Sequence, residues 1–216
     1  MNNKNVLVWI GGVLAALILI FAAYLLTNSA TQPTDFSAIN VLRNNDHVTW
    51  SKTDKNLLIE YSDIQCPACK AFHDLFQTFE ASSSPDFAIT KKVTLVFRHF
   101  PLYQIHQNAF NAAYAAEAAS IQGKFWEFTN ILYNRQSQWS ELANPSDYFL
   151  GVAKELGLNV DKFKSDMNSQ PVKDRVQSDL DEGNKLGINA TPTFFLNGKK
   201  VDVASIDQFK SLLKSL

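Results

Sequence analysis

Apolar positions along the chain change period several times, and each change marks an element. Residues 6–26 (VLVWIGGVLAALILIFAAYLL) run without a charge, matching the roughly 20 helical residues needed to cross a bilayer core. Residues 27–45 carry Ser, Thr, Gln, Pro and Asn among scattered apolar positions and read as a tether. His47-Val48-Thr49-Trp50 is a short strand candidate, and 56–62 (NLLIEYS) is a stronger one. Its nearly continuous apolar character suits a central strand covered on both faces. Ala71, Phe72, Leu75, Phe76 and Phe79 then recur at spacings of three and four, one face of a helix that Ser82-Ser83-Ser84-Pro85 ends. Residues 93–97 (VTLVF) read as a further strand, stopped by Pro101.

From 105 to 186 the period is helical, with breaks near Gly123, at Asn144-Pro145 and at Gly157, a short helix around 160–167 and a longer one from Pro171 to just before Gly187. Strand signals return at 190–196, followed by the two-residue hairpin turn Asn197-Gly198 and by 199–203. A last helix over 205–215 presents Ile206, Phe209, Leu212 and Leu213 inward. The order is strand, strand, helix, strand, helical block, hairpin, helix, an α/β arrangement. It divides the chain into a short N-terminus (1–5), an anchor (6–26), a linker (27–45), a first α/β part (46–104), a helical insertion (105–187) and a second α/β part (188–216).

Lys4 precedes the apolar run and the first charge after it is Asp35, so the positive-inside bias puts the C-terminal portion outside the cytoplasm. A cleaved signal peptide competes with this reading, but the run exceeds the usual apolar region of roughly 7–15 residues, and Asn28-Ser29-Ala30 is a poor cleavage signal. The expectation is a single-pass protein of the cell membrane with its C-terminal domain extracytoplasmic. Twenty basic residues stand against 21 acidic ones, for a formal net charge of −1. No basic field is present to hold nucleic acid, and no acidic tail suggests a disordered arm.

Composition matters most at cysteine. The two in the chain, Cys66 and Cys69, form one Cys-x-x-Cys where the strongest strand pattern runs into a helix, with Pro67 in the first turn and Ala68 between. The unpaired N–H groups and positive end of that helix favour a thiolate at Cys66, the expected nucleophile. Cys69, one turn in, is placed to resolve a mixed disulfide formed on Cys66. A structural zinc needs four ligands, and the chain has no second cysteine pair; His73, at i+4 from Cys69, leaves a Cys2His cluster as the metal alternative. Glu60, six residues before Cys66 on the apolar strand, is either a poorly solvated carboxylate with a raised pKa or a strand-end residue reaching water. Asp63 reads as a solvent-facing turn residue, His99 as structural, and Phe125, Trp126, Phe128 and Tyr133 as a packing stripe. Pro192, entering the hairpin, marks either an edge strand or a cis bond.

Together, LIEYSDIQCPACKAFH, VFRHFPL, AAEAASIQGKFWEF and GINATPTFFLNGKKV, in this order and spacing, resemble the membrane-anchored, DsbA-like thiol:disulfide oxidoreductases of the thioredoxin superfamily. The resemblance covers about residues 56–216. It implies a thioredoxin fold with an inserted helical domain, preceded here by one N-terminal transmembrane helix. It further implies that Cys66 exchanges with thiols, Cys69 resolves, Glu60 transfers a proton beneath the motif, and Thr191-Pro192 form a cis-proline loop that pairs with an extended substrate segment. No cofactor beyond the Cys66-Cys69 disulfide is implied. Partners implied are exported polypeptides with cysteines and a membrane reoxidase of DsbB or VKOR type. Strongly oxidising members carry histidine where this chain has Ala68, so a reductase or isomerase using the same residues is the alternative direction. A non-catalytic, membrane-tethered zinc-holding module is the alternative of another class.

Overall fold

The computed structural model describes residues 12–22, 36, 39–51 and 55–216. These belong to two compact units, 1–34 and 35–216. In the first, residues 12–22 form a helix (α1) exposed at every position. Among the described residues no helix is long and apolar enough to cross a membrane. The rest of the expected 6–26 anchor, and most of the 27–45 linker, lie outside the described residues.

The second unit is built on a five-stranded sheet of order β1-β3-β2-β4-β5, with β1 His47–Trp50, β2 Leu57–Ser62, β3 Thr94–His99, β4 Thr193–Leu196 and β5 Lys199–Val201. The apolar run of β2 takes the central place: parallel to β3, antiparallel to β4, with all six residues buried. Side chains alternate across a strand, so Leu58, Glu60 and Ser62 share one face while Leu57, Ile59 and Tyr61 share the other. Asn197 and Gly198 adopt the positive φ values, 51° and 74°, that a tight hairpin between β4 and β5 requires.

Helix α2 (Pro67–Glu80) starts at Cys66 with proline in its first turn and buries Cys69, Phe72, His73, Phe76 and Phe79. Phe72 and Phe76 pack with Leu58, Phe194 and Phe209, the last from α10 (Ile206–Lys214). The insertion comprises α4 (Ala109–Ser120), α5 (Phe125–Asn134), α6 (Gln136–Trp139), α7 (Ser146–Glu155), α8 (Val160–Met167) and α9 (Gln170–Lys185). Its aromatic core, with Phe128, Trp139, Phe149 and Phe163, is continuous with Ile64, Cys66, Cys69 and Phe97. The insertion is therefore packed onto the cysteine loop. Two elements were not expected, α3 (Ala88–Lys92) and α6, because five and four residues are too few to show a helical period.

The guanidinium of Arg98, 1% exposed, donates to Asp46 at 2.9 and 3.1 Å, to Glu182 at 3.1 Å and to the Val41 carbonyl at 3.1 Å. These bonds tie β3 to the segment before β1 and to α9. Phe100, just past β3, fits against Gly183 of α9, where an added Cβ would stand 2.5 Å from the Phe100 ring. Gly183→Ala is accordingly expected to destabilise the domain by about 1–3 kcal/mol through overpacking, measured as a lower urea midpoint with an unchanged slope.

Candidate active site

Both sulfurs are free thiols but differ in surroundings: Cys66 is 6% exposed and Cys69 is fully buried. Cys66 occupies the N-cap of α2, its N–H donating to the Asp63 carbonyl at 3.0 Å and its carbonyl accepting from Lys70 N at 3.1 Å. The hydrogen bond from the Cys69 thiol lowers the Cys66 pKa, against the opposing effect of burial; the Thr191 side chain and the backbone amides of Cys69 and Ala68 add to the lowering. Burial drives the Cys69 thiol well above its ordinary value, and the bond it gives Cys66 and the charges of Cys66 and Glu60 push the same way. The pair thus holds its charge on Cys66 and its proton on Cys69. Pro67 and Ala68, exposed between them, leave that turn open to a partner.

Glu60 does not reach water. It is 5% exposed beneath α2, and burial, with the Cys66 charge adding, raises its pKa to about 7 although a hydrogen bond from Ser62 opposes the shift. The Ser62 hydroxyl lies 2.7 Å from Glu60 Oε1 and 2.9 Å from the Tyr133 hydroxyl. Sheet carboxylate and insertion phenol are so joined through one hydroxyl. Tyr133 is therefore more than part of a packing stripe; its ring also stacks on His73 at 4.6 Å. Burial lowers the His73 pKa to about 4, so His73 lies neutral against the phenol.

The Thr191–Pro192 peptide is cis, and the Thr191 carbonyl lies 3.5 Å from Cys66 Sγ, so the hairpin entrance sits against Cys66. Asp63 departs from expectation. It is 1% exposed rather than facing solvent, and its carboxylate accepts from Gln65 N at 2.8 Å, Leu102 N at 2.9 Å and His106 Nδ1 at 2.7 Å. The same residue thereby ties the cysteine turn to the loop after β3. From the insertion, the Gln136 amide donates to the carbonyls of Ile64 at 2.8 Å and Cys66 at 3.2 Å. Ser62, Asp63, His106, Tyr133 and Gln136 gave no sign of a shared site in sequence, since spacing carries no information on contacts across tens of residues.

Among the described residues one group of possible metal ligands converges, and it excludes both cysteines: His47, His99 and Glu117. Both ring Nε2 atoms are directed at Glu117 Oε1, at 2.7 and 3.0 Å. Burial acts against the charge of Glu117, yet the bonds from His47 and His99 hold its carboxyl well below the usual range. The Arg175 guanidinium lies 3.8 Å from the same oxygen. Two imidazoles on one carboxylate oxygen, with a guanidinium nearby, form one buried hydrogen-bonded cluster. His99 thus serves this packing cluster, in keeping with the structural reading.

Residues 44–215 match the sequence profile of the thioredoxin family. The chain belongs to the thioredoxin family. Its fold is DsbA-like, a thioredoxin fold carrying an inserted helical domain. The fold is similar to that of alpha-DsbA1 from Wolbachia pipientis, with a TM-score of 0.69 and 24% identity, covering 84% of this chain and 95% of that one. BdbD from Bacillus subtilis is similar at 0.66 and 22%, covering 79% and 91%. A Na(+)/H(+) antiporter NhaA 1 of Mycolicibacterium gilvum (strain PYR-GCK) is 34% identical over 200 residues, which take in 88% of this chain and 30% of that protein. The thioredoxin-family chain thus spans under a third of the length of this curated relative.

The Glu60 shift has a consequence for stability. The carboxyl titrates at about 7 in the folded chain against 4.5 for its ordinary value, so the folded state holds the extra proton between those pH values and stability falls as pH rises through them. Glu60→Gln is expected to gain about 2–3 kcal/mol on the wild type at pH 8 relative to pH 5. Urea midpoints of the reduced proteins at the two pH values check this.

Proposed function

We propose that the protein is an extracytoplasmic thiol:disulfide oxidoreductase, held to the cell membrane by residues 6–26, that donates its Cys66-Cys69 disulfide to exported polypeptides. The observation that carries the reading is the opposed shift of the two thiols, with the cis Thr191–Pro192 peptide beside the lower one. A thiolate of the substrate attacks Cys66 Sγ of the disulfide form, and Cys69 leaves. Cys69 has a raised pKa and takes up a proton, for which Glu60, titrating at about 7, is the nearby store. A second substrate thiolate then attacks the substrate sulfur of the mixed disulfide and expels Cys66 as the stabilised thiolate. Two electrons pass from the substrate dithiol to the cysteine pair, and the substrate gains one disulfide. A membrane-bound oxidase of DsbB or VKOR type returns the pair to its disulfide.

A protein substrate suits the surface. A groove of about 330 Å³ runs between the 100–105 loop and the segment leading to Thr191, lined by Leu102, Ile105, Leu180 and Ile188 among others. Tyr103 and Ile105 stand 54% and 74% exposed at its rim. Extended apolar segments bind such surfaces and pair with the neighbouring backbone. A reductase or isomerase is favoured by one observation, that Ala68 brings no charge between the cysteines. An equilibrium with glutathione showing a potential at or below roughly −270 mV would reverse the direction of electron flow proposed.

Cys69→Ala is expected to accumulate mixed disulfides with exported proteins on Cys66, while Cys66→Ala captures none; non-reducing gels of envelope fractions distinguish the two, and capture by the second variant alone would overturn the roles. Glu60→Gln is expected to slow oxidation of a reduced model peptide by about 10-fold or more, since general acid–base groups supply factors of this order. An unchanged pH–rate profile would remove Glu60 from the reaction.

A further inference from the structure

Ala68 leaves the turn between the cysteines without a charged side chain, yet the sequence places a histidine at 106, in the loop between β3 and α4. Asp63 folds that loop back onto the cysteine turn. Its Oδ2 accepts from both Leu102 N and His106 Nδ1, while its carbonyl accepts from the N–H of Cys66 itself. The Asp63 carboxylate has no exposure and the His106 side chain only 15%, so the imidazole is clamped with one nitrogen committed to Asp63 and a limited opening to water. The charged groups bearing on it come from three places: Asp63 in the β2–α2 turn, Cys66 at the start of α2, and Glu141 in the loop after α6. All three are anionic when ionised.

The geometry points to His106 as a positioning residue for the exchange reaction: an imidazolium fixed by Asp63 that acts as the through-space charge partner of the Cys66 thiolate. This inference rests on the oxidoreductase reading and adds a residue to it. The hydrogen bond to Asp63 raises the His106 pKa, burial partly offsets this, and the charges of Asp63, Cys66 and Glu141 raise it further, so the cation persists toward neutral pH. A cation close to Cys66 stabilises the dithiol form over the disulfide, which makes the protein a stronger oxidant. As pH rises through the His106 pKa, that assistance is lost.

Linkage makes the test reciprocal: if His106 stabilises the thiolate, the thiolate stabilises protonated His106. In the wild-type full chain, the His106 ring resonance is expected to titrate about half a unit to one unit higher in the dithiol form than in the disulfide form. Equal midpoints overturn the proposal. His106→Gln is expected to raise the Cys66 ionisation midpoint, followed by ultraviolet thiolate absorbance, so that alkylation below that midpoint slows about 3- to 10-fold, with His106→Lys restoring the wild-type value. Identical titrations of Cys66 in all three proteins, with a wild-type thiol more acidic than an ordinary cysteine, would remove His106 alone. A wild-type Cys66 that ionises like an ordinary cysteine would remove the oxidoreductase reading with it. Because the redox-dependent His106 midpoint is read on the wild type, a variant that fails to fold leaves the question decided.

Discussion

The negative charge of the cysteine pair can settle on one sulfur only, and burial decides which. Cys69 is fully buried, with the carboxyl of Glu60 and the sulfur of Cys66 as neighbours, so an anion there would have neither water nor a cation. Its proton stays and is shared toward Cys66, which stands at the helix end with backbone N–H groups to receive charge. Everything that keeps Cys69 dry therefore also sharpens Cys66. The covering elements come from both halves of the molecule: β2 and α2 from the first, and the aromatic core of the insertion from the second.

Much of this was legible in the chain. The continuous apolar run before the cysteines fixed the central strand, the spacing of Phe72, Phe76 and Phe79 fixed the face of α2, and Asn197-Gly198 fixed the hairpin. Cys66 and Thr191 come within 3.5 Å where two element boundaries meet, and at such boundaries residue type and order along the chain carry position. Asp63 was misread because a carboxylate in a turn is usually hydrated. Its burial depends on donors from Leu102 and His106, some 40 residues away, which no local pattern reveals. Tyr133 sat in an apolar stripe indistinguishable from core, and its hydroxyl found Ser62 only through the tertiary fold.

A second buried polar system sets the frame around the site. Asp179 of α9 accepts from the N–H of His99 at 3.0 Å and pairs with Arg43 at 2.6 Å, while Arg98 reaches Asp46 and Glu182. Tyr61 donates to Glu182 and so carries the central strand into the same network. Buried ion pairs of this kind cost desolvation and are poor sources of net stability, but removing one partner leaves a charge with no compensation. They join α9 to β3 and to the segment before β1. On the same side Gly183 of α9 lies against Phe100, and two residues on, Leu102 N donates to Asp63.

The Ser62 hydroxyl, shared between Glu60 on the sheet and Tyr133 on the insertion, makes the acidity of the site a gauge of closure. Were the insertion to lift from the sheet, water would enter at that oxygen, and the carboxyl would relax toward ordinary acidity and release its proton to solvent. The unusual acidity of Glu60 therefore belongs to the assembled domain and not to the strand that carries it.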